Sequence, residues 1–180
     1  MITALDILKF WFEELNDNQR FAKNDEIDQK IRDRYTSTFN DALSNKLKPW
    51  RETPEGRLAE IIVLDQFSRN MFRDSPKAFS GDNLALRLAQ EAVAKGEDKK
   101  IPIEQRSFLY MPYMHSENMK VHEKAVTLFS QSGLEYNLKY EMMHKKIIDR
   151  FGRYPHRNKV LGRVSTTEEL DFLKEEGSSF

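Results

Sequence analysis

Nine consecutive residues, Arg150-Phe151-Gly152-Arg153-Tyr154-Pro155-His156-Arg157-Asn158, gather three arginines, a histidine and an asparagine. Guanidinium forks match the geometry of phosphate and carboxylate, and a histidine beside them can move a proton. Gly152 and Pro155 stop a helix from running through, so the stretch is a loop that is solvated or turned toward opposite charge. A second segment, Asp65-Gln66-Phe67-Ser68-Arg69-Asn70, is followed by Arg73. Asp65, Arg69 and Arg73 stand four residues apart, on one helical face with Leu58, Ile61 and Ile62. Charge on the continuation of an apolar stripe needs a partner, because unpaired buried charge is costly. The plainer alternative is an i,i+4 Asp65–Arg69 pair that closes the end of the core.

His115-Ser116-Glu117 is the third segment. Following Pro112, it is expected at a helix N-terminus, where free N–H groups favour anions, with Ser116 as an ordinary cap the alternative. His144 lies among Tyr140, Ile147 and Ile148, a setting more usual for a satisfied core histidine than for a ligand. Glu141-x-x-His144 is half of a di-iron carboxylate signature, but a second copy is missing, so no metal is expected. His122, between Lys120 and Lys124, reads as solvent-facing.

The candidates for proton transfer are therefore Asp65, His115, Glu117, His144 and His156. Those for ligand contact are Gln66, Arg69, Asn70, Arg73, Arg150, Arg153, Arg157 and Asn158. Phosphate-loop, dinucleotide and nucleophile-elbow signatures are all missing, and no cofactor is expected.

The elements that must position these groups read as helices throughout. Thr3 with Asp6 caps a first helix carrying Leu5, Leu8, Phe12 and Leu15; Asn16 to Asn24 reads as a loop. Ile27, Ile31, Tyr35, Phe39 and Ala42 stripe a long peripheral helix. Thr53-Pro54 starts a third helix, apolar on nearly every side from Leu58 to Phe67 and hence central. Further helices follow around Leu88, Phe108 (ended or kinked by Pro112), Leu128 and Ile147. The last is opened by a Thr166/Glu169 capping box. No segment alternates with period two, so the chain is expected to be all-α, about eight helices in a single domain, residues 1–180.

Composition narrows the partners. Lys+Arg and Asp+Glu are both 29, which argues against a general nucleic-acid or anionic-membrane binder. Cysteine is absent, removing disulfides, thiolate metal sites and a cysteine nucleophile together. The N-terminus lacks the basic and apolar regions of a signal peptide, and no apolar run approaches a bilayer span. A cytoplasmic protein is expected.

Leu64 to Asn70, Met111-Pro112-Tyr113-Met114-His115-Ser116-Glu117 and Arg150 to Asn158 together resemble a widespread bacterial family known only as a domain of unknown function. Phe10-Trp11-Phe12, Leu161-Gly162-Arg163 and Ser165-Thr166 extend the likeness over nearly the whole chain. The resemblance implies a tetratricopeptide-like α-α superhelix and carries no activity. Ser68 stands where the family usually has proline, which argues against a Ser68 nucleophile, and Glu141 lies outside the family's pattern. Three readings remain: a cleft for a small anion (phosphate or carboxylate) with proton-transfer groups, a groove clamping a peptide or protein C-terminus, or a charged network that only locks the last loop in place. On the first, at least one of Arg153 and Arg157 faces the cleft.

Overall fold

The structure, a computed structural model, describes residues 2–179; Met1 and Phe180, the two ends of the expected domain, lie outside the described residues. Every regular element among the described residues is helical. α1 (Ala4–Lys9) begins on the Thr3/Asp6 capping box and runs directly into a π-helical turn, Phe10–Glu14. The expected loop after it contains a short helix, α2 (Asp17–Phe21), held by an Asn16/Gln19 capping box. α3 (Asp25–Leu43) buries Ile27, Ile31, Tyr35, Phe39 and Ala42 against the core.

The central path is α4 (Pro54–Ile62), a second π-helical turn at Val63–Phe67, and α5 (Ser68–Met71). Gly56 through Ser68 are all buried, as the continuous apolar run requires. A π turn has i→i+5 bonding and takes up one residue more than an α turn. The two π turns meet through their rings, with Phe67 5.8 Å from Phe10 and 5.7 Å from Trp11, centroid to centroid. Tyr35 of α3 closes this cluster at 4.9 Å from Phe67.

α6 (Asp82–Ala94) lies directly on the second π turn. A Cβ at Gly81 would stand 2.4 Å from the Leu64 carbonyl oxygen, so only glycine permits this approach, and it delivers Asp82 to the π-turn backbone. α7 (Ile103–Met114) continues through Pro112 instead of ending there. Its residues from Ser107 to Met114 are all buried, and packing on α4, α6 and α8 holds the helix despite the missing N–H. α8 (Met119–Phe129), capped by Asn118, packs on α9 (Glu135–Phe151), which stops at Gly152 with φ +69°. A 3₁₀ turn at Pro155–Arg157 follows, then α10 (Thr167–Phe172) on its expected capping box. Ile147, Ile148, Tyr154 and Phe172 form a satellite apolar cluster that pins the last loop and α10 to α9. Among the described residues no helix is long and apolar enough to cross a membrane.

Candidate functional site

A cleft of about 590 Å³ opens where six parts of the chain converge. The central path supplies Gln66, Arg69, Asn70 and Arg73; the end of α7 supplies Met111, Met114 and His115; α9 supplies Tyr136, Tyr140 and His144. His156 and Arg157 come from the last loop, and Arg20, Phe21 and Lys23 from α2 and just beyond it; Phe79 adds a ring to the wall. A broader hollow of about 800 Å³ along α8 and α9 lies open to solvent and holds none of the candidate residues.

Asp65 sits behind the wall, fully buried. Its Oδ1 lies 2.7 Å from His115 Nδ1 and 3.2 Å from an Arg69 nitrogen, and its Oδ2 accepts a 2.6 Å bond from Gln66. Burial raises the carboxyl's pKa, but the charges of His115 and Arg69 and the bonds from His115 and Gln66 outweigh it, so Asp65 stays ionised far below the usual range. Burial also lowers the His115 pKa, and the pull of Asp65 offsets this only in part. Where His115 is neutral it carries its proton on Nδ1 toward Asp65, which leaves Nε2 as a proton acceptor; once protonated, its charge helps to hold Asp65 down.

His115 is the C-cap of α7, its N–H bonded to the Met111 carbonyl at 2.9 Å. The turn does lead into a helix N-terminus, that of α8, capped by Asn118, but His115 itself stands at the negative, C-terminal end of α7, which passes through Pro112. The positive field in the cleft comes from side chains.

Those side chains differ sharply in how they are paired. Arg69 donates to both oxygens of Asp82, at 2.8 and 3.0 Å, and to the Asp65 carbonyl at 2.9 Å. Arg73 pairs with Asp28, which also accepts a 2.7 Å bond from Asn70. Arg157 is different: only 7% exposed, it reaches Asp82 at 3.9 Å, and its buried Nε has no acceptor. Its guanidinium lies over the rings of Tyr154 (4.5 Å) and Phe79 (4.8 Å). Burial, reinforced by the charge of Arg69, pulls its pKa below the usual arginine range. Next to it, the buried Nδ1 of His156 also has no partner, and burial brings this imidazole down to about 4. Burial takes His144 to about 3, although its Nδ1 bonds the Tyr140 carbonyl at 2.8 Å. The cleft thus presents neutral imidazoles beside charged guanidiniums.

Four expected site residues lie elsewhere. Glu117 accepts two bonds from Arg163, at 2.7 and 2.9 Å, and one from the Tyr154 N–H at 2.8 Å. Arg153 clamps Glu169 at 2.6 and 2.8 Å, Arg150 pairs with Glu168 at 2.9 Å, and Asn158 donates to Ser165 and Glu169. The physical reason is the chain reversal at Gly152 and the 3₁₀ turn after it. Arg153 and Asn158 are sent to α10, while His156 and Arg157 reach the cleft. In this half of the loop both arginines are paired with carboxylates of α10.

His122 is also corrected. Fully buried, it lies 2.7 Å from Glu141 through Nδ1 and 2.7 Å from the Ser116 carbonyl through Nε2. Glu141 thus serves His122 and steadies the turn beside His115. Among the described residues no group of three or more histidines, cysteines or carboxylates is arranged to hold a metal ion. Sequence reasoning missed the wall residues Arg20, Lys23, Phe21, Phe79, Tyr136 and Tyr140, and the carboxylates Asp28 and Asp82. Asp28 did leave a signal, a carboxylate directly following Ile27 at the edge of the apolar stripe of α3.

No curated protein matches the sequence. A solved structure described as a protein of unknown function, ATU0120 from Agrobacterium tumefaciens, is similar with a TM-score of 0.90 and 34% identity, over 95% of this chain and 96% of that one. The bacterial family of unknown function DUF924 matches residues 7–177, and the chain belongs to it.

Proposed function

We propose that the cleft binds a small anionic ligand, a phosphate or a carboxylate, in the cytoplasm, with Arg157 as the principal contact. One observation carries the reading. Arg69 and Arg73 are already matched by carboxylates, whereas Arg157 is buried beside a like charge with an unsatisfied Nε. Asp82, at 3.9 Å and already shared with Arg69, compensates the buried Arg157 cation only in part, and an anion entering the cleft would relieve the remainder. His115, held by Asp65, is the group placed to take a proton from such a ligand or from water beside it. A peptide C-terminus presents the same carboxylate, but the depth at which Arg157 lies favours a small molecule.

The test is thermal unfolding with inorganic phosphate and with small carboxylates at matched ionic strength, on the wild type and on Arg157→Met. A ligand that binds the native state raises its stability with concentration. The wild type should show the rise and the variant should not, which also controls for general salting effects of phosphate. Without ligand, Arg157→Met should be as stable as the wild type or more so. A rise of equal size in both proteins, or none in either, overturns the reading. So does a loss on the order of 3–5 kcal/mol in the unliganded variant, which is what breaking a satisfied buried pair costs.

A further inference from the structure

We propose that the ligand is a planar aromatic anion, its charged end at Arg157 and its ring held by Phe21 and Tyr136 at the mouth of the cleft. The inference rests on the anion reading above and names the substrate class for it. A volume of about 590 Å³ falls in the range of cavities that enclose whole organic ligands, so a bare anion would leave most of it unfilled. The mouth supplies what the remainder of such a ligand needs. Phe21 is 57% exposed and Tyr136 67%, and they come from distant segments, α2 and the first turn of α9. Scattered exposed apolar residues are ordinary; two rings from separate elements lining one cleft are not.

Both rings are braced. Phe21 lies nearly parallel to Phe108, centroids 5.9 Å apart and planes 13° apart, and more than half of it stays exposed. Tyr136 lies 4.9 Å from the Tyr140 ring, and their hydroxyls are 3.0 Å apart. That hydroxyl bond raises the Tyr136 pKa, and Tyr136 lines the same cleft as Phe21. A flat ring entering here meets rigid aromatic surface at little conformational cost.

Isothermal titration of the whole chain with two matched pairs tests this: phenyl phosphate against inorganic phosphate, and benzoate against acetate. The aromatic member of at least one pair should bind about tenfold tighter or more, within what stacking on an aromatic side chain contributes; which pair does so distinguishes phosphate from carboxylate. Phe21→Ala and Tyr136→Ala should each bring that ratio toward one and leave the affinity for the simple anion unchanged. Both positions are exposed, and far-UV circular dichroism verifies that the variants stay helical. Equal affinities within both pairs, or a preference that survives both substitutions, overturn the aromatic assignment while the anion reading stands. If no compound of either pair binds, both readings fall.

Discussion

Asp65 is the residue on which the cleft wall depends. It satisfies His115 and Gln66 and adds to the field on Arg69, all from a fully buried position. Asp65→Ala should cost on the order of 3–5 kcal/mol in urea denaturation at neutral pH, as loss of one member of a buried charged group does. The sign with pH follows from the depressed pKa. Its contribution is present above the ordinary carboxylate range and disappears as pH falls through the lower, folded-state value. Asp65→Asn should therefore lie closest to the wild type in strong acid; a gap that widens toward acid would refute the assignment. Asp65 and Arg69 were legible in the sequence because charge on an apolar stripe is conspicuous. Their further partners were not: Asp82 is delivered by the Gly81 contact with Leu64, and Asp28 by α3 packing on α5. Contacts of that kind follow from tertiary packing and leave no spacing to read.

At the scale of elements, the last loop divides into a locked half and a half that reaches the cleft. Arg153 and Glu169 lock α10, and the bond from Arg153 brings the Glu169 carboxyl from 4.5 down to about 2. Because the folded value is depressed, this stabilisation is full above about pH 4.5 and fades as pH falls toward 2. Arg153→Ala should loosen α10 at neutral pH, by less than the loss of a fully buried pair because the arginine is partly exposed. Amide exchange in α10 reads this directly, and Glu169→Ala on top of Arg153→Ala should loosen α10 further, because Glu169 also accepts from the Thr166 N–H and from Asn158. Unchanged exchange in α10 would refute the lock. The sequence held the capping box of α10 but not the Arg153 clamp on the same glutamate, because the turn at Gly152 decides which way each arginine points. His122 shows the reverse case. Its spacing to Ala125 and Phe129 places it on the buried face of α8, and the neighbouring lysines masked a pattern that was present.

For the whole molecule, the cleft makes the fold sensitive to acid above the carboxylate range. His144 and His156 keep pKa values of about 3 and about 4, whereas the unfolded chain protonates them near 6.5. Between those values the unfolded state binds more protons, so stability rises with pH and is lost as pH falls from about 6.5 toward 4. The expected slope is roughly 1–3 kcal/mol per pH unit, and His144→Gln with His156→Gln should flatten it. A wild type whose stability is level across that window would contradict the buried, neutral imidazoles. The all-helical architecture itself was the most legible property, since helical spacing, caps and the lack of period-two alternation agree throughout. The two π turns were the least legible, because an apolar run buried on every side looks the same whether its turns are α or π. Yet the second of them fixes the angular phase of everything beyond it. Each residue turns an α-helix by about 100°. Wound as α throughout, the same sequence would swing Arg69 and Arg73 round by about that angle, away from Asp82 and Asp28, with no change in composition. Substitutions along this helix alter what the cleft holds; the extra residue taken up in its π turn sets which way it faces.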